Sequence, residues 1–315
     1  MSHGRGRRTE RIAGAGLALL AALLLTAATK SDDRIQLFPN LHNGDTLRYE
    51  SHARLNRYVK TKSNVVTMYE PQPLLADFSA HLLLSVHDFH ALDRRPMMAA
   101  DTQFVSPDWK LNATATPAQS LKVDFSVGGD GSVTRADGLD NLGPVERLAW
   151  QFWVSQFAFA WTLPSAGVRP GEKWKSVEVE QTPSPIANLV WERETTYVQD
   201  DTCPILRDEP CAVFLITAAL KQKSNPDNAT PEEYKLHELK TFGTAQGDNE
   251  TYVYISRKTG LLLRASEDLK QSLDVTIAKA DGTNQVHYLV EVTSHFETVY
   301  VPPASIQQAK TPASQ

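Results

Sequence analysis

Alternation of apolar and polar residues with a period of two runs through most of this chain and constrains its fold more than any other feature. Successive side chains of a β-strand point to opposite faces of a sheet, so the pattern predicts strands with one buried face. The segment from Phe78 to Val86 is the clearest example, and Leu121 to Val127 leads into a glycine-rich hairpin turn at 128–131. Later strands are predicted at Glu250 to Ser256, Leu261 to Glu267 and Leu269 to Ile277. Because the strands follow one another through short turns, we expect a mainly β fold, a large curved antiparallel meander sheet of half-barrel-like shape.

One aromatic segment breaks the alternation. From 144 to 161 the sequence reads PVERLAWQFWVSQFAFAW, with Pro144 at a first helical position and no helix breaker before Pro164. Nearly the whole circumference is apolar, which predicts a buried α-helix packed on the concave face of the sheet. Core packing alone explains its rings, and the alternative is that helix and sheet leave a groove for an apolar ligand. The candidate lining residues of such a groove are Trp150, Trp153, Phe157 and Trp161.

The N-terminal segment has the order of a secretory signal peptide: four arginines, an apolar run and then small residues. Thr26 and Ala28 suit signal peptidase, so we expect cleavage after Ala28 and export to the periplasm or the extracellular space. The alternative is an uncleaved anchor, because Ile12 to Ala28 spans 17 residues, at the short end of the ~17 to 25 that cross a bilayer. The protein would then be tethered to the membrane by its N-terminal helix.

The only two cysteines, Cys203 and Cys211, both lie in the part that would be exported. Pro204 and Pro210 indicate a loop between two predicted strands. The spacing therefore predicts a disulfide across the neck of a hairpin in an oxidising compartment. A redox pair would need C-x-x-C spacing, which is absent.

The predicted organisation has four parts: a signal peptide at 1–28, an N-terminal linker at 29–44, a β-rich domain at 45–300 and a disordered tail at 301–315. Removing 1–28 takes away four arginines and one glutamate, which lowers the formal net charge from −5 to −8. An acidic chain disfavours nucleic acid and anionic membrane surfaces as partners. Membrane contact is expected only through an uncleaved signal segment, and the sequence indicates no oligomeric state.

Familiar catalytic signatures are missing: the sequence has no G-x-S-x-G elbow, no H-E-x-x-H pair and no phosphate-binding glycine loop. We therefore predict no catalytic residue and no cofactor, and lean against an enzyme. Among the histidines of one predicted strand, His81 and His87 share a face but stand roughly 20 Å apart, too far to share a metal ion. His87 and His90 are weak metal candidates, since they converge only if the chain turns after Phe89, and solvent-facing histidines are the simpler interpretation.

Three phrases of the sequence together resemble exported bacterial β-rich proteins classed as domains of unknown function. They are VDFSVGGDGSVTRADG at 123–138, LPSAGVRPGEKW at 163–174 and ETYVYISRKTGLLLRASEDLKQSLDVTI at 250–277. More distantly, a long meander with a helix on its concave face is similar to the half-barrel of LolA-like lipoprotein carriers. That resemblance implies a hydrophobic groove, and it carries over neither a catalytic site nor a ligand residue.

Two hypotheses on function follow. The first is an exported cell-envelope protein that binds an apolar ligand, such as a lipid or an acyl chain, between sheet and helix. The alternative is an envelope scaffold or protein-interaction module that uses exposed strand edges or loops and takes no small-molecule ligand.

Overall fold

The computed structural model describes residues 34–63, 73–92, 95–116, 121–180, 184–206 and 209–303. The compact unit Gln36–Gln315 carries all the elements below. The predicted signal peptide lies outside the described residues, as does the predicted tail from 304 onward. No helix in the described ranges combines the length and the apolar character needed to cross a membrane.

Twelve strands and one long helix make up the described fold. The strands are β1 (Thr46–Ser63), β2 (Leu74–Leu92), β3 (Arg95–Leu111), β4 (Thr114–Thr116), β5 (Lys122–Val127), β6 (Val133–Asp137), β7 (Lys173–Val179), β8 (Leu189–Thr202), β9 (Pro210–Gln222), β10 (Leu239–Ser256), β11 (Leu262–Lys279) and β12 (Val286–Tyr300). Helix α1 (Pro144–Phe157) continues as a 3-10 helix (Ala158–Thr162), and a short helix α2 (Glu232–Leu236) precedes β10.

All twelve strands belong to one antiparallel sheet. Its order is β6-β5-β3-β2-β1-β12-β11-β10-β9-β8-β7, with β4 beside β3. The first and last strands pair at the centre, where Tyr49 lies opposite Tyr300. In the described part of the chain β6 and β7 are the two edges, so the sheet is open and the predicted meander is confirmed.

The predicted aromatic helix is also confirmed. Pro144 occupies the first turn, and the Gly143 N–H donates to Glu146 Oε2 at 2.7 Å, which satisfies one of the N–H groups that a helix start leaves unpaired. The helix lies in the connection between the two edge strands and packs across the central strands β1, β2, β11 and β12. The chain thus crosses the sheet from one edge to the other over a single face.

We call the face that carries Tyr49, Ser51 and Ala53 of β1 the inner face, because α1 packs on it, and the opposite one the outer face. Tyr49 and Trp153 are fully buried, with ring centroids 5.8 Å apart in an edge arrangement that favours aromatic pairs. The Tyr49 hydroxyl donates to the Leu262 carbonyl at 3.2 Å, and burial raises the pKa of Tyr49 well above its usual value. This aromatic contact fixes the helix to the centre of the sheet.

The predicted disulfide joins Cys203 to Cys211, with Cα atoms 5.0 Å apart. It closes the loop between β8 and β9, and both residues pack against Leu263 of β11. The bridge is consistent with an exported protein.

Strand lengths differ from the sequence prediction in three places. The segments Leu261 to Glu267 and Leu269 to Ile277, predicted as two strands, form the single strand β11. Strand β10 begins at Leu239 rather than at Glu250. Strand β3 had no counterpart in the prediction at all.

Candidate functional site

The four aromatic residues predicted to line a groove are all buried, three on α1 and one on the 3-10 helix that continues it. Trp150, Trp153, Phe157 and Trp161 are between 0% and 5% exposed. The Trp150 indole N–H donates to Thr102 Oγ1 at 2.8 Å. The ring of Phe157 lies 5.0 Å from that of Trp153 and 5.6 Å from that of Trp161. These rings pack on each other and on the sheet, and contact with a ligand stays a prediction for them.

Beyond the helix, the inner face carries apolar side chains that are only half-buried. We call Leu55, Leu269, Val290 and Val292 the inner strip. The register places Leu55, Ser294 and Leu269 in one row across β1, β12 and β11, with Val292 and Val290 on the same face further along β12. A second buried cluster around Trp191, Leu220 and Ile186 lies on the other side of the strip, and Leu269 packs against it. The strip therefore separates two filled parts of the inner face.

Polar side chains adjoin the inner strip at positions where alternation would place apolar ones. We call Arg193, Asn249, Thr251 and Glu267 the polar patch. Thr251 lies opposite Glu267 across β10 and β11, and Asn249 lies opposite Leu269. The Thr251 hydroxyl is 3.1 Å from Glu267 Oε2 and 2.9 Å from Asn249 Oδ1. Polar residues at core positions are costly, so such a group is a candidate functional site.

The carboxyl of Glu267 is the unusual member of the polar patch. Burial raises its pKa, while hydrogen bonds from Asn249 and Thr251 and the charge of Arg193 oppose that rise. One threonine hydroxyl has a single proton, so it cannot donate to both Glu267 and Asn249. A protonated Glu267 that donates to Thr251 would let Thr251 donate to Asn249, and every contact would be satisfied.

Arg193 gives the polar patch a positive charge at its solvent side. Its guanidinium Nη1 lies 2.7 Å from Glu178 Oε2 on the edge strand, and the side chain is about one-third exposed. Between Arg193 and Asn249 stands Ala218 of β9, whose side chain is a single methyl group. Ala218 is itself buried in the cluster around Trp191 and Leu220, so neighbouring side chains cover it.

Several buried polar atoms on the inner face have no hydrogen-bond partner among the described residues. They include Gln156 Oε1 of α1 and the hydroxyl oxygens of Ser51 and Thr298, which lie opposite each other on β1 and β12. Gln156 follows Phe152 by four residues and so leaves the helix on the same side, where Phe152 stacks on Phe296 at 5.5 Å. Phe296 in turn lies opposite Glu267. Ser51 and Thr298 thus lie in the next row of the inner face after Glu267, on the side of the helix.

The weak metal candidates His87 and His90 are not brought together. Strand β2 runs on to Leu92 without a turn after Phe89, and Asp93 lies outside the described residues. His90 Nδ1 is 3.4 Å from Asp88. His87 instead sits at a β-bulge, where its Nε2 lies 2.5 Å from Asp101 Oδ2.

One group of described side chains has a spacing that a metal ion could use. It consists of His87, Asp101 and Asp124, whose ligand atoms, one from each residue, lie within 4.8 Å of one another. The Lys122 ammonium, however, lies 3.2 Å from Asp101 and 3.3 Å from Asp124. Its hydrogen bonds to Asp101 and then Asp124 raise the pKa of Lys122, so it remains charged. A cation is therefore already provided by the protein, between the two carboxylates.

The outer face has a shallow open cleft of about 440 Å³ over β3, β2, β1 and β12. Its charged groups pair with each other: Arg54 lies 2.9 Å from Asp77 across β1 and β2, and Lys110 lies 3.4 Å from Asp108 along β3. Pairing of this kind is ordinary for a solvated sheet face. The inner face is the stronger candidate for function.

The polar patch was not predicted from the sequence. Asn249 begins an N-x-[ST] triplet and Glu267 ends a predicted strand, but neither was predicted as a site residue. The signal that could have found it is the failure of alternation at Asn249, Thr251 and Glu267. Reading that signal requires the strand register, because the face of each residue depends on it.

Comparisons with known proteins add little. No protein-family model matches the chain, and no curated protein matches it. Among solved structures, the chain is similar to DynF from the dynemicin biosynthesis pathway of Micromonospora chersina, with 7% sequence identity over 88% of this chain and 93% of that chain. The TM-score of 0.19 is too low to establish a common fold.

Proposed function

We propose that this protein is an exported, non-enzymatic carrier that binds a lipid or another molecule with an acyl chain on its inner face. The observation that supports this best is the inner strip, whose four aliphatic side chains are half-buried between two filled parts of the same face. Burying such side chains against an acyl chain stabilises the complex by about 25 cal/mol for each Å² of apolar surface removed from water. Export is proposed from the signal sequence, and the disulfide is consistent with it.

The dimensions of the inner strip suit a single chain. Leu55 and Val292 mark two successive rows of the inner face, and Val290 marks the next row along β12. Rows are two residues apart, about 7 Å at strand rise, so the strip is about 14 Å long. The polar patch at its side would receive the polar end of an amphipathic molecule.

The test is native mass spectrometry, together with solvent extraction, of the protein purified from its own envelope. We expect a co-purified acyl lipid. Leu269→Glu should reduce the lipid-to-protein ratio about tenfold, because a charge on the strip removes about 1.4 kcal/mol or more of binding. Leu83→Glu is the matched control, since Leu83 is an exposed leucine on the outer face. Lipid-free protein, or equal loss from both variants, would refute the carrier.

A second candidate is a protein-interaction module that uses the edge strand β7. In the described part of the chain β7 ends the sheet order, and its Val177 and Val179 are 65% and 60% exposed. An exposed apolar edge strand is a template for an added strand. Crosslinking in cells that captures one specific protein, and loses it on Val177→Lys, would favour this alternative.

A further inference from the structure

We propose that Arg57 of β1 binds the anionic head of the acyl ligand, a carboxylate or a phosphate, beside the inner strip. The inference rests on the proposed carrier function and specifies the charge of its ligand. It follows from the position of one exposed cation among half-buried aliphatic side chains of the inner face.

Arg57 lies on the inner face, because alternation along β1 places it between Leu55 and Val59. Across the neighbouring strands it lies opposite Leu74 of β2 and Val292 of β12. These four neighbours are all aliphatic and half-buried, whereas Arg57 is exposed. The stem of an arginine covers apolar surface while its guanidinium stays in water, so the charge of Arg57 is accessible at the margin of the strip.

The described residues provide no counter-ion for Arg57. By contrast, Arg54 on the outer face of the same strand lies 2.9 Å from Asp77. Within the described ranges of β1, β2, β11 and β12, the one carboxyl that the register places on the inner face is Glu267. It lies two rows along and two strands across from Arg57, about 14 Å and about 9.5 Å at sheet spacing. Salt screens charges beyond about 8 Å, so this carboxyl does not neutralise Arg57.

An anion held by Arg57 would place its acyl chain on the inner strip. Val292 lies directly opposite Arg57, and Leu269 lies further across the sheet on β11. The guanidinium donates from a planar fork that matches a carboxylate or a phosphate. An acyl chain that covers the neighbouring aliphatic side chains also lowers the local dielectric, which strengthens the pair. The apolar and the charged part of the ligand therefore support each other.

The polar patch, on the other side of the inner strip, is the poorer place for an anion. Arg193 is already paired there with Glu178 at 2.7 Å, and Glu267 adds a second carboxyl. The polar patch therefore suits an uncharged polar group, and a negative head is directed to Arg57.

Isothermal titration calorimetry of the delipidated full chain tests the inference with four probes of equal alkyl length: laurate, dodecyl phosphate, lauryl alcohol and dodecylammonium. We expect at least one anionic probe to bind about tenfold or more tightly than lauryl alcohol, because charge-assisted hydrogen bonds add to burial of the chain. Arg57→Met should abolish this preference and leave the binding of lauryl alcohol unchanged. Arg54→Met is the matched control, because Arg54 is an arginine of the same strand on the outer face. The ratio between laurate and dodecyl phosphate identifies the preferred head.

Arg57→Glu provides a variant whose expected effect is a gain. Dodecylammonium should bind it about tenfold more tightly than it binds the wild type, which a damaged fold would not do. Equal binding of the anionic probes and lauryl alcohol to the wild type would overturn the anionic head while the carrier function stands. Equal loss of anion preference in Arg57→Met and Arg54→Met would overturn the assignment to Arg57. Failure of every probe would instead refute the carrier function, and this inference with it.

Discussion

The inner face has two adjoining regions that share the same strands yet differ in packing. In the region that α1 covers, Tyr49 of β1, Trp153 of the helix and Ala265 of β11 are all inaccessible to solvent. Two and four residues further along β11, Glu267 and Leu269 on the same face are only half-buried. The backbone register is continuous between the two regions. The difference therefore comes from what covers the face and not from the sheet.

The covered and the uncovered region also differ in the types of side chain that they contain. The covered region uses aromatic rings, which fill the space between helix and sheet and contact each other at 5.0 to 6.3 Å. The uncovered region uses aliphatic residues and the polar patch. A closely packed surface and a less covered surface are thus built on one sheet.

The largest effect is expected for Trp153→Ala in the covered region. Removing a fully buried indole leaves a cavity, and such substitutions cost about 3 to 5 kcal/mol of stability. Urea unfolding measures the loss. Trp174→Ala is the control, because Trp174 lies on the edge strand β7 and is only half-buried, so its loss should be clearly smaller. Similar losses for the two variants would mean that the covered region is not the stabilising core.

A smaller effect is expected for Leu269→Ala in the uncovered region. A half-buried leucine has less apolar surface to lose, so we expect a cost of about 1 kcal/mol in unfolding by urea. Leu82→Ala is the comparison, since Leu82 is fully buried beneath the helix and should cost about 2 to 5 kcal/mol. If Leu269→Ala costs as much as Leu82→Ala, the inner strip is core and the distinction between the regions fails.

Much of the covered region could be predicted from the sequence. Alternation on β2 and the aromatic run of α1 both report burial directly, because one side of each element is uniformly apolar. Strand β3 was missed because its inner face includes Thr102 and its course includes Ser106 with a φ of 51°, features that obscure the pattern. Thr102 accepts a hydrogen bond from the Trp150 indole N–H. No local pattern reveals this contact, because the two residues are 48 positions apart.

The uncovered region could not be predicted, for a physical reason. Polar residues at inner positions, such as Glu267 and Asn249, interrupt the alternation and indicate strand ends or loops. For this reason two strands were predicted in place of β11, and a late start was predicted for β10. Only pairing across β8 to β11 shows that Arg193, Asn249 and Glu267 share a face. Deviations from alternation were therefore the informative residues, and they became meaningful once the register was known.

The smallest effect is expected in the pH dependence of stability. The sign of this dependence should differ between Glu267 on the inner face and Glu192 on the outer face. Because the folded-state pKa of Glu267 is raised by burial, the native state holds its proton more tightly than the unfolded chain does. Stability from this group is full below the unfolded pKa of about 4.3 and is lost as pH rises through the folded pKa. Wild-type protein should therefore lose stability relative to Glu267→Gln as pH rises.

Glu192→Gln should show the opposite sign, since the hydrogen bond and charge of Lys223 lower the pKa of Glu192 on the outer face. Its contribution is present above the unfolded pKa and is lost as pH falls through the folded pKa. Urea midpoints from pH 4 to 8 for both variants decide the matter. The raised pKa of Glu267 already includes the net effect of the polar and charged groups that face or adjoin it. These are Asn249, Thr251, Arg193 and Asp268. The same sign in both variants would show that Glu267 is solvated like an outer-face carboxyl, and the polar patch would lose its distinction.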